Sequence, residues 1–142
     1  MNAQSKIFST LIAVTMVVFA APALAANSNL LSLPQPVNDG NVNYITGGIG
    51  DAERQDLEAQ AKNFNLLITD ANKKGQYVVD NNFTITRKNG RDVVNIDNAG
   101  PLLYAKLPPG QYKITAMNGN QREVENIKIS ANREDHLHLI WR

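Results

Sequence analysis

His136 and His138 are the only histidines in the chain, and they stand two residues apart. Along an extended strand, side chains at i and i+2 share a face, so the two imidazoles could form one side of a zinc or copper site. Glu134 or Asp135 could add an oxygen ligand. The alternating Leu137, Leu139 and Trp141 read as the apolar side of the same strand, which turns both histidines toward water. A solvated histidine pair therefore has a plain surface reading beside the metal-binding one. Nucleophilic chemistry has less support: cysteine is absent, and no serine lies in a Gly-x-Ser-x-Gly turn.

Gly47-Gly48-Ile49-Gly50 runs into a helical segment, an order that can offer main-chain amides to a phosphate. The stretch lacks both a Gly-Lys-Ser/Thr ending and Gly-x-Gly-x-x-Gly spacing, and Asp51 puts a carboxylate where the anion would sit. Asp51 is expected as the N-cap, with Glu53 adding favourable charge in the first turn. Lys73-Lys74, and Arg87-Lys88 with Arg91, read as solvated hairpin tips rather than nucleic-acid contacts. Tyr77, Tyr104 and Tyr112 could line a carbohydrate platform, although strand-spaced tyrosines in a small domain more often fill the core.

These residues must be positioned by short elements. A helix is expected over 51–63, with Leu57, Ala61 and Phe64 forming a narrow apolar stripe. From Asn65 onward the period changes to two, and strands are expected at 66–68, 76–79, 83–86, 93–96, 102–107, 112–117, 124–129 and 136–141. Asn89-Gly90, Pro108-Pro109-Gly110 and Asn118-Gly119 supply the turn chemistry between them. The predicted fold is mainly β: an antiparallel sandwich of seven to eight strands with one short N-terminal helix, in which the strands around Asn89-Gly90 and Asn118-Gly119 pair with their sequence neighbours.

The run Leu102-Leu103-Tyr104-Ala105-Lys106-Leu107-Pro108-Pro109-Gly110-Gln111-Tyr112-Lys113-Ile114-Thr115-Ala116 resembles the strand, Leu-Pro-Pro-Gly-x-Tyr, strand hairpin of carboxypeptidase regulatory-like domains. Those are small sandwiches of the transthyretin (prealbumin-like) type. Tyr44 to Gly50, the helix, Tyr77-Val78-Val79-Asp80 and Gly100-Pro101 are similar to a group of short exported proteobacterial proteins of that kind. The resemblance spans about 44–129 and implies an architecture and a compartment, not a reaction. Zinc carboxypeptidase chemistry would need a His-x-x-Glu pair and a much larger catalytic domain, neither of which this chain has. The transthyretin-like hydrolases carry a Tyr-Arg-Gly-Ser terminus, whereas this chain ends Leu139-Ile140-Trp141-Arg142.

The chain has 142 residues, 43% of them apolar and 19% charged, with a formal charge of +1. That composition excludes a disulfide scaffold, a thiolate metal site and a polybasic nucleic-acid binder. The first 25 residues have the order of a secretory signal: Lys6, an apolar stretch, then Pro22-Ala23-Leu24-Ala25, with cleavage expected after Ala25. Residues 26–43, with Pro34, Pro36 and Gly40, are expected as a flexible linker whose apolar cluster is Leu30, Leu31 and Leu33. Residues 44–142 then form the domain.

The expected product is a periplasmic, non-enzymatic module that binds or supports another envelope component, a protein or a glycan. No cofactor, nucleic acid or stable membrane insertion is expected. Recognition would use an open strand edge or the turns at Asn89-Gly90, Pro108-Gly110 and Asn118-Gly119. A small metal- or ligand-binding protein built on His136 and His138, and a carbohydrate-binding module, remain as alternatives.

Overall fold

The structure, a computed structural model, describes residues 33–39 and 42–142. The expected signal segment with Ala25, and Leu30 and Leu31 of the linker, lie outside the described residues. In chain order the elements are β1 (Val37–Asp39), β2 (Val42–Gly47), α1 (Asp51–Gln60) with a 3-10 turn (Ala61–Asn63), β3 (Leu66–Asn72), β4 (Asn81–Arg87), β5 (Asp92–Ala99), β6 (Leu102–Lys106), β7 (Gly110–Asn118), β8 (Gln121–Ile129) and β9 (Asp135–Trp141). They form two sheets, one in the order β1-β2-β6-β3-β9 and the other β5-β4-β7-β8.

Period-two burial builds the interior. Phe83, Ile85, Tyr112, Ile114 and Ala116 of one sheet join Leu66, Ile68, Leu103, Leu139 and Trp141 of the other in a single apolar cluster. The opposite face of the five-stranded sheet carries a smaller cluster, in which Leu57 of α1 packs with Ile45, Phe64, Leu67, Leu102 and Tyr104. Leu57 is fully buried, and enclosing a leucine is worth about 2 kcal/mol. Because α1 covers one face of β6 and the main cluster the other, Leu102 to Ala105 are all buried.

Several expectations require correction. The described residues form nine strands rather than seven or eight. Val37–Asp39, inside the expected linker, pairs antiparallel with β2, because strand pairing needs only main-chain groups and no apolar period. Residues 76–79 form no strand and contribute one isolated bridge, Ala71 to Tyr77. The sandwich was expected to be wholly antiparallel, but β9 pairs parallel with β3, from Leu66 with Asp135 to Asn72 with Trp141. A parallel partner requires a long crossover, which the intervening strands of the second sheet supply.

Nor do β6 and β7 pair with each other. The Leu107-Pro108-Pro109-Gly110 segment is a corner that carries the chain from one sheet to the other. Asn65 explains why β6 stops there: its side-chain amide donates to the Leu107 carbonyl (2.9 Å) and its side-chain oxygen accepts from the Leu107 amide (2.9 Å). The Asn65 side chain thus supplies one last rung before the prolines end the ladder. On the far side of the corner, the Tyr112 hydroxyl donates to the Pro108 carbonyl at 2.7 Å.

The helix start also differs from expectation. Gly50 is the N-cap and Asp51 caps nothing; instead Glu53 reaches back and accepts from the amides of Gly48 (3.0 Å) and Ile49 (3.1 Å). The chain's own carboxylate therefore fills the place where a phosphate would bind. Beside it, Gly100 lies so close to Gly47 that an added Cβ would stand 2.5 Å from the Gly47 carbonyl oxygen. Thr46 clamps this contact by accepting from the Gly100 amide (3.0 Å) and donating to the Leu102 carbonyl (2.9 Å).

Candidate functional site

Among the described residues, strand β9 is the outer strand of the five-stranded sheet and pairs only with β3. The Asp135 amide donates to the Asn65 carbonyl at 2.9 Å. Main-chain groups alternate in direction along a strand, so Asp135, Leu137, Leu139 and Trp141 bond to β3. The amides and carbonyls of His136, His138 and Ile140 then point outward, away from β3. The same three side chains are exposed, whereas Leu139 and Trp141 are buried. The two histidines thus share one solvated face with Ile140.

Edge strands are usually blunted by lysine, proline, a bulge or shortness. β1 has three residues, β5 shows two register shifts against β4, and β8 carries Arg122, Glu123, Glu125 and Lys128. β9 has seven residues and contains no lysine, arginine or proline. Among the described residues nothing covers its outer face, since the α1 cluster packs on β2, β6 and β3. Tyr77, 48% exposed, bridges to Ala71 of β3 and holds the Arg54 guanidinium 5.5 Å from its ring centroid. The result is a main-chain edge flanked by Ile140 and two imidazoles.

As a metal centre the same strip is sparse. His136 Nε2 lies 2.8 Å from Glu134 Oε1. Asp135, the other expected oxygen donor, turns inward and accepts from Arg133 Nε at 2.8 Å. Among the described residues no cluster of three or more His, Cys, Asp or Glu side chains is placed to hold an ion. As a carbohydrate platform the tyrosines do not form a row: Tyr104 and Tyr112 are buried and only Tyr77 is open.

The three expected interaction turns separate into two groups. Asn89-Gly90 and Pro108-Gly110 lie at one end, joined by the Lys88 amide donating to the Gln111 carbonyl at 3.0 Å. Asn118-Gly119 lies at the other end of β7, eight residues along the strand, a separation of roughly 26 Å. They cannot together bind one small ligand. Gly90 (φ 81°) and Gly119 (φ 55°) are left-handed, as tight turns require.

At the Asn118 end the structure brings together residues that sequence reasoning passed over. Asp70 of β3 is completely buried, and neither carboxyl oxygen closes a well-formed hydrogen bond. The Asn81 and Trp141 side chains approach it and favour its ionised form, but burial outweighs them and pushes its pKa up to about 7. Asn81 in turn accepts from the Asn118 side-chain amide at 2.7 Å. One signal was available: Asp70 shares its strand parity with the inward Leu66 and Ile68.

Among the described residues no helix is long and apolar enough to cross a membrane. No protein-family model matches the sequence, and comparison with curated proteins finds no match.

Proposed function

We propose that this chain is an exported, non-enzymatic binding module of the periplasm, a prealbumin-like two-sheet sandwich of the carboxypeptidase regulatory type. The unblunted β9 edge carries the reading. Its outward main-chain groups can add an extended segment of another envelope protein as a further strand, with Ile140, His136 and His138 as side-chain contacts. Two packed sheets sharing one core, and the Leu-Pro-Pro-Gly corner closed by Tyr112, support the architectural part. The secretory order of the first 25 residues supports the compartment.

Proline at an outward-facing amide of an edge strand leaves the existing ladder whole, while removing the donor that an incoming strand would use. The test compares the purified chain with its His138→Pro and His138→Lys variants as bait for envelope extract. A defined protein retained by the parent chain and lost with both variants, at unchanged melting temperature, is the expected result. A protein retained equally by all three, or nothing retained above resin, would overturn edge recognition.

A further inference from the structure

On the sheet away from β9, a groove of about 350 Å³ opens where Lys88 of the β4–β5 turn meets Gln111 to Lys113 of β7 and Asn126 to Lys128 of β8. Strand register assembles it: Gln111 pairs with Lys128 and Lys113 with Asn126, while the Lys88 amide is bonded to Gln111. Lys88, Lys113 and Lys128 line it from three elements, and no carboxylate is among the described residues of its lining. Among the described residues none of the three makes an ion pair, and the Gln111 and Asn126 side-chain amides have no hydrogen-bond partner. Tyr112 and Ile127 complete the lining. Tyr112 is held by its bond to Pro108 and carries the Arg87 guanidinium 5.6 Å from its ring centroid.

Three lysines around one groove set up a local positive field, in a chain whose overall charge is only +1. Lysine binds phosphate as a compact point charge, and three ammonium groups match the charge of a diphosphate better than that of a single carboxylate. We propose that this groove binds a small ligand carrying two or more phosphate groups, held by Lys88, Lys113 and Lys128 with the Gln111 and Asn126 amides as added donors. The volume suits a small molecule rather than a polymer. The phosphates can belong to a soluble metabolite or to a lipid headgroup. The site is independent of the β9 edge.

Pyrophosphate is the probe, titrated into the isotope-labelled chain and followed by amide chemical shifts. Saturable shifts confined to residues 88, 111–113 and 126–128 are expected, and the K113Q/K128Q double variant should weaken binding by about tenfold or more. The K73Q/K74Q double variant removes the same charge elsewhere and should change affinity by less than about twofold. Equal weakening by both variants, shifts scattered over the surface, or none at millimolar pyrophosphate would overturn the proposal. Sedimentation with phosphatidylcholine vesicles, with and without cardiolipin, whose headgroup carries two phosphates, separates the two sources. Binding that depends on cardiolipin and is competed by pyrophosphate assigns a headgroup; pyrophosphate binding without vesicle binding assigns a soluble ligand.

Discussion

The Asp70 carboxyl is sealed in the core beside the indole of Trp141, and neither group completes a hydrogen bond of good geometry. Asp70 comes from β3 and Trp141 from the last residues of the chain, so parallel β3–β9 pairing creates the contact. Asn81 and Trp141 face the carboxyl from β4 and β9, and no charged group contributes to its shift.

This burial makes stability depend on pH. The pKa of Asp70 is raised from 3.8 to about 7 in the folded chain, so the folded state keeps a proton that the unfolded state releases. Its contribution is fully present below about pH 4 and is lost as pH rises through 7. Between pH 5 and 8 this group should remove about 3 kcal/mol. Urea unfolding at both pH values should show that loss in the parent chain and not in Asp70→Asn. Trp141 is the only tryptophan, so its emission should titrate with a midpoint near 7 and cease to do so in the variant.

Asn65→Ala should destabilise by roughly 2–4 kcal/mol, because it removes two hydrogen bonds and strands the buried Leu107 main-chain groups. Thermal melts measure the loss. A cost below about 0.5 kcal/mol would show that the corner does not depend on this rung.

Gly100→Ala should be more damaging than its single methyl suggests. The new Cβ would meet the Gly47 main chain, which cannot swing aside as a side chain can, and the expected cost is about 2–3 kcal/mol. Gly50→Ala, where the added carbon meets nothing within 4 Å, is the control. Equal melting temperatures for the two variants would refute the close approach.

Zinc should bind the histidine strip weakly. Two imidazoles and a nearby Glu134 leave a tetrahedral site incomplete. Calorimetry should give a dissociation constant weaker than about 10 µM. Tighter binding, abolished by His136→Ala, would favour the metal-binding reading of this strand.

Strand content, the helix and most turn positions could be read locally, since side-chain parity and positive-φ residues report on a segment without reference to its partners. Residues 112–117 show this: their alternation marks Tyr112, Ile114 and Ala116 as inward, and all three are buried. Alternation says which face of a strand is buried but not which strand lies beside it. The β6–β7 corner, the parallel seat of β9 and the short β1 were therefore beyond its reach.

The chemistry of this chain divides along the same line. From the amino acids alone came the export signal reading, the absence of thiol chemistry and the solvated face shared by His136 and His138, because each depends on residue type and near-neighbour spacing. Tertiary structure decided that Asp70 loses its water, that Glu53 occupies the Gly48 and Ile49 amides, and that Lys88, Lys113 and Lys128 meet in one groove. Desolvation and charge density are set by atoms brought from distant parts of the chain, and no local pattern encodes them.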